Sequence, residues 1–233
     1  MKCLVFDIKS DYGHFRKFYT TSSPLTFSIP PRPTVAGMIS AIIGLDKEVY
    51  LKYFNKKDAK IAIQIASPVN KSRISYNLIN TKTANMYSKI KDRTQVTFEL
   101  LKDPKFRIYF SHNNREIYNN LKNFLEKKKT YYTLSMGLSE YIAEFEYIKE
   151  IEVNEVNNLE NFVYIDTAIN FHEEVEIGFE DNKEYFKDNI PNEMNTNREI
   201  TEYIKVLFER NGFPIRCKCN YYEGSDGEKI VFL

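Results

Sequence analysis

The chain has no tryptophan, three cysteines, eight glycines and three histidines in 233 residues. Each shortage excludes something. Without tryptophan, any aromatic stacking falls to Tyr and Phe, of which there are 17 each. An odd cysteine count with no secretory leader argues against a disulfide framework. Cys217 and Cys219 point to one face if they lie on a strand. No second pair with metal spacing follows them, so C-x-C is weak evidence for zinc, and buried or edge thiols are the plainer reading. No cofactor or metal is expected. No apolar run reaches membrane-spanning length, and the N-terminus leads directly into KCLVFDIK, so a cytoplasmic chain is expected. The sequence has no G-x-x-x-x-G-K-[ST], G-x-S-x-G or H-E-x-x-H, which removes the P-loop, hydrolase-elbow and zincin readings.

What is present is a strong charge asymmetry. Residues 1–133 carry 24 basic and 10 acidic residues, and residues 134–233 carry 9 and 22. The net charge of +1 thus conceals +14 against −13. A basic half points to a polyanion partner, although two opposed halves can also neutralise each other within one fold.

KCLVFDIK, residues 2–9, reads as a strand apolar on both faces, hence central. Residues 10–33 read as loop. In TFSIPPRPTVAGMISAIIG, residues 26–44, three prolines surround Arg32, and Thr34 is a plausible N-cap for a helix ending at Gly44. Gly37, Ala41 and Gly44 form a small-residue stripe. It admits two readings: close packing on another element, or a helix N-terminus facing phosphate with Arg32 held rigidly before it. DKEVYLKYFN reads as a second helical piece, and KIAIQIA, 60–66, as a strand. Residues 67–98 are polar and basic, fit no amphipathic helix and read as a functional insertion. ELLKDPKFRIYFS gives two strand pieces about an Asp-Pro turn. Residues 114–128 space Ile117, Leu121, Phe124 and Leu125 as a surface helix, and EYIAEFEYIKEIEV reads as a strand or hairpin. Beyond it, VYIDTAINF, EVEIGFE and IRCKCNYYE look like strands and REITEYIKVLFERNG like a helix ended by Gly212.

The order strand, helix, strand, insertion, strand, helix, strand predicts an α+β, ferredoxin-like domain over 1–151, with an acidic, mostly β region over 152–233 packed on it. RNA-recognition folds share that order and take unpaired bases on their sheet face.

HFRKFYT, PLTFSIPPRPTVAGMISAIIGL, ELLKDPKFRIYF and YYTLSMGLSEYIAEFE, in that order, resemble the Cas-five family of CRISPR-associated proteins within the RAMP superfamily, with the type I-B variety most similar. The likeness spans about residues 2–148. It implies a subunit of the Cascade surveillance complex that caps its backbone for antiviral defence and holds the 5′ handle of the CRISPR RNA. It implies that the insertion is a β-hairpin thumb folded over the RNA and touching the neighbouring backbone subunit, and that the large subunit is a further partner. A branch of the family cuts precursor RNA without metal through Tyr, Lys and His. Here His14 and His112 would be the candidates for that endoribonuclease chemistry, but a lysine beside His112 is lacking, so a non-catalytic role is expected. The expected RNA contacts are Arg16, Lys17, Tyr19 and Arg32 near the first loop and Lys71, Arg73, Lys89, Lys91 and Arg93 in the insertion. Tyr12, Tyr76 and Tyr87 are further stacking candidates.

Overall fold

The computed structural model describes residues 1–20, 22–79 and 93–233. The central strand β1, Lys2–Lys9, is buried along six of its eight residues, as apolar side chains on both faces require. After a long loop come α1, Arg32–Ile43, and β2, Ala59–Ile65. A hairpin of two ten-residue strands follows, β3, Asn70–Ile79, and β4, Arg93–Lys102. Then come β5, Lys105–His112, α2, Arg115–Glu126, and β6, Glu144–Val156. The strands β6-β1-β5-β2 lie side by side, all antiparallel. This is the ferredoxin-like arrangement, with the β3–β4 hairpin inserted between its second and third strands. The chain is α+β, as expected, and the described residues of the insertion pair as a hairpin.

The remaining chain is mostly β. A second long hairpin pairs β7, Tyr185–Met194, with β8, Ile200–Glu209. β9, Ile215–Lys218, pairs with short segments at Val163–Ile165 and Glu176–Ile177. β10, Tyr221–Gly224, adds to the free edge of β6, followed by Lys229–Ile230. β6 runs through position 151 without a break. The largest core joins Leu4, Phe6, Ile39, Ile61 and Phe110 to Ile190, Val206 and Phe208 from beyond it.

Two elements differ from the sequence reading. Residues 200–209, read as helix, form β8. Ile200, Ile204, Leu207 and Phe208 satisfy helical spacing, and Ile200, Ile204, Val206 and Phe208 satisfy strand alternation. Pairing with β7, distant in neither space nor sequence but invisible to periodicity, decides between them. DKEVYLKYFN yields only a 3₁₀ turn at Tyr50–Lys52. α2 keeps to expectation. The Asn114 side chain caps it by accepting from the N–H groups of Glu116 and Ile117, while Ile117, Leu121 and Leu125 are buried.

Both sheet faces are covered. The helices cover one. The other carries Cys3, Val5, Ala62, Tyr109, Ile151 and Val153, closed by Tyr222, Ile230 and Phe232. The base-binding sheet face of an RNA-recognition fold is therefore not open here, and an RNA surface has to be sought elsewhere.

Candidate nucleic-acid interface

α1 begins at Arg32, not at Thr34, with Pro31 as a cap that makes no side-chain bond. The N–H groups of Thr34 and Val35 both donate to the Pro31 carbonyl, and Pro33 has none. The helix end is not an open ring of donors. Arg32 is 1% exposed, and its guanidinium donates to the carbonyls of Ala59 and Asn192. The expected phosphate contact is thus corrected: Arg32 is a clamp between α1, β2 and β7. No carboxylate lies within ion-pair distance of it among the described residues. Burial lowers its pKa, opposed by Glu193 and Glu202. The small-residue stripe divides. Gly44 caps the helix at φ 79°, and a Cβ there would meet the Tyr131 ring at 2.5 Å. A Cβ on Gly37 would meet only Tyr50 Oη, at 3.8 Å. Gly37 and Ala41 instead line a groove of about 400 Å³ with Tyr50, Met194 and Arg198.

The β3–β4 hairpin has two unlike faces. Tyr76 and Phe98 turn inward, where Tyr76 Oη meets Tyr141 Oη at 2.8 Å and Phe98 packs edge-on against His14. Lys71, Arg73, Ser75 and Asn77 face outward, as strand alternation demands, opposite Leu101, Glu99, Thr97 and Gln95. Arg93, opposite Ile79, lies on the same outer face. Arg73 stands across from Glu99, whose carboxylate is already bound to Lys71 at 3.0 Å and to the Thr26 N–H. Arg73 and Arg93 make no ion pair among the described residues. They lie six registers apart, about 20 Å along the hairpin. Lys89 and Lys91, like Tyr87, lie outside the described residues.

At the foot of this face lies a cleft of about 400 Å³. Its walls carry Lys17, Lys71, Lys187 and Arg210 against the single acid Asp188, with Phe186 and Phe208 at its side. Phe186 stacks on Phe208 with ring centroids 6.1 Å apart and keeps 48% of its surface exposed. Lys17 bonds Asp188 at 2.6 Å. Burial alone lowers the Lys17 pKa, but Asp188 more than offsets it, so the net shift is upward. Arg210 bridges Glu184 at 2.9 Å and the Val69 carbonyl. Lys187 has no ion-pair partner among the described residues and lies 5.3 Å from the Phe171 ring. Beside the cleft, Tyr19 is 59% exposed and touches Phe18, which in turn packs on Tyr203. Arg16 is exposed and donates to the Thr20 carbonyl.

The structure thus brings Lys17, Lys71 and Arg73 together, with Arg16 and Tyr19 at the rim and Arg93 further out. Lys17 and Lys71 are anchored rather than free, and each joins the first loop to another element. Phe18, Phe186, Lys187, Tyr203 and Arg210 escape the sequence reading. All but Phe18 come from β7, β8 and the turn after them, and only that pairing carries them to the first loop.

The histidines are far apart. His14 is 2% exposed, beside Phe15, which packs on Phe106 near the start of β5, whereas His112 ends that strand. The strand length alone separates these ends by about 24 Å. His14 bonds the Glu99 carbonyl through Nδ1, and burial lowers its pKa. His112 accepts from the Asn114 N–H at Nδ1 and donates from Nε2 to the Tyr53 carbonyl. Burial lowers its pKa also. No group of three or more His, Cys, Asp or Glu is arranged to hold a metal among the described residues. No helix described is long and apolar enough to cross a membrane.

Residues 3–206 match the family model described as CRISPR-associated protein (Cas5). No curated protein matches. Among solved structures, a CRISPR protein from Archaeoglobus fulgidus is similar at TM-score 0.61 and 16% identity, covering 100% of this chain and 99% of that one. A chain of a CRISPR RNA-guided surveillance complex is similar at TM-score 0.55 and 10% identity, covering 92% and 91%. One of a Type III-B Cmr-beta assembly bound to cognate target RNA reaches TM-score 0.50 at 12% identity, covering 91% and 86%. At such identities these likenesses speak for the fold.

Proposed function

This chain belongs to the Cas5 family of CRISPR-associated proteins, and we propose that it is a non-catalytic subunit of a type I surveillance complex that binds the 5′ handle of the CRISPR RNA. The observation that carries this reading is the cationic track from the cleft at Lys17, Lys71 and Lys187 along the outer hairpin face to Arg73 and Arg93. Unpaired arginines fork onto phosphates, and exposed Tyr19 and Phe186 offer ring faces to bases. The hairpin reaches outward, with Leu78 and Ile79 exposed near its far end, and meets the neighbouring backbone subunit there. Apart from the cleft wall, the acidic part beyond β6 faces the large subunit, where it does not repel RNA.

A metal-independent nuclease needs an acid and a base within hydrogen-bond reach of one scissile phosphate. The separation of His14 from His112, and the two bonds already made by the His112 ring, favour binding without cutting. The test is labelled CRISPR repeat RNA with the purified full chain in chelator, across a salt series, alone and within the assembled complex. Intact RNA, retained with a steep salt dependence, is expected. Cleavage at one position in chelator would overturn the non-catalytic assignment. Retention by the complex that is indifferent to both salt and the hairpin arginines would overturn the RNA-binding one.

A further inference from the structure

Cys217 and Cys219 alternate onto one face at the end of β9, and their Sγ atoms are 3.5 Å apart. Both are free thiols, 0% and 4% exposed. They sit in a satellite core with Ile165, Ile169, Val175, Leu207 and Ile215. That core needs neither sulfur for packing alone, since a small apolar side chain would fill the same space. Cys219 lies beyond the last ladder residue of β9, Lys218, and before β10 begins at Tyr221. Its backbone therefore lies outside the ladder, while that of Cys217 is paired with Val163 and Ile177.

We propose that Cys217 and Cys219 form a dithiol site that a hydroperoxide oxidises to an intramolecular disulfide. Forming the bond needs an approach of about 1.5 Å, from the observed separation to disulfide length. The Cys217 thiol hydrogen bond lowers the Cys219 pKa, against the upward push of burial, so Cys219 is the sulfur that attacks. Its thiolate takes one peroxide oxygen as the O–O bond breaks. The hydroxide released takes up a proton and leaves as water, and Cys219 becomes a sulfenic acid. The Cys217 sulfur then displaces that oxygen as a second water. Overall, two thiols and one hydrogen peroxide give one disulfide and two waters. A molecule this small is the oxidant that suits thiols so little exposed. Cys3 provides an internal control. It is buried in a different core, its pKa is raised mainly by burial, and no second thiol lies beside it.

The experiment treats the native full chain with hydrogen peroxide, removes the excess with catalase, then denatures it in iodoacetamide and maps it by mass spectrometry. Trypsin cuts after Arg216 and Lys218, so the disulfide joins two fragments that separate on reduction. The expected result is an intact mass lower by two hydrogens before alkylation, a joined pair of fragments, and a fully alkylated Cys3. In Cys217→Ser the joined pair disappears and dimedone traps a sulfenic acid on Cys219. Three alkylated cysteines after treatment would overturn the proposal, as would Cys219 driven to sulfinic acid with no joined fragments. So would loss of two hydrogens in Cys217→Ser, which would place the partner at Cys3. If Cys217→Ser does not fold, the map of the unmutated chain decides alone.

Discussion

The molecule carries two long hairpins built from strands of equal length, and they have opposite fates. β3–β4 bears Lys71, Arg73, Arg93 and Lys102 against the one acid Glu99, and most of its outer face is exposed. β7–β8 bears Lys187 and Lys205 against Asp188, Glu193, Glu202 and Glu209, and Ile190, Val206 and Phe208 run into the main core. The first is joined to the body at its foot, through Lys71, Tyr76 and Phe98. The second is held along its length, by Arg32 to Asn192, Lys56 to Glu202 at 2.6 Å, and Lys17 to Asp188. A hairpin with spare cations and little core is shaped for an outside polyanion. One whose acids are matched by neighbours is a wall, and the cleft lies where wall and finger meet.

That contrast can be broken from either side. Arg32→Ala releases the wall. It leaves two buried carbonyls without a donor, and the expected loss is about 3 kcal/mol, read as a lower urea midpoint with hydrogen exchange quickening first in β7. An unchanged midpoint would deny Arg32 the clamp role. Arg73→Glu with Arg93→Glu acts on the finger. Stability should hold within about 0.5 kcal/mol, while the salt slope of RNA binding falls by about 2. A melted hairpin, or an unaltered slope, would contradict the division of labour. Asp188→Asn acts in the cleft between the two hairpins. It should weaken the fold by about 1.5 kcal/mol and strengthen RNA binding, because Lys17 loses its counter-charge. Binding that weakens together with stability would mean that cleft shape outweighs its charge.

The smallest effects are those of pH, and they fall at neither hairpin tip. Burial of Asp7 raises its pKa, but hydrogen bonds and charge from Arg107 and Lys105 outweigh it, and the net shift is down. The stability this contributes is present above the unfolded value of about 3.9 and is lost as pH falls through the folded one. His14 at the hairpin foot is likewise shifted down, chiefly by burial. Its neutral ring favours the fold above about pH 6.5, and that contribution fades as pH falls below it, because the unfolded chain takes the proton first. Asp7→Asn should flatten the acid limb below about pH 4, and His14→Gln the gentler slope that sets in below about pH 6.5. Acid unfolding curves that keep their shape in both variants would refute these assignments.

Local pattern was enough for β1, for α2 and for the inserted character of residues 67–98, which lack any helical period, while their hairpin form came from the family resemblance. Charge alone drew attention to Lys71, Arg73 and Arg93 there, and the strand register places them on one outer face. Local pattern failed where another strand decides the outcome. Arg32 between prolines looks rigid and free, and only β7, some 160 residues later, buries it. Ile200–Glu209 fits two periods, and only its neighbour selects one. Lys187, Phe186 and Arg210 therefore had no local signal as members of the cleft.

The central position of β1 has a consequence during synthesis. Leu4 pairs with Phe110 on one side and with Glu150 on the other, while Ile230 and Phe232 close its outer face. A ribosome adding 5–20 residues per second needs roughly 5–20 s to supply the first of these partners. For that interval β1, buried along six of its eight residues in the fold, has both edges unpaired. A nascent chain of this kind depends on chaperones, or on the shelter of the exit tunnel, more than a domain whose first strand lies at an edge.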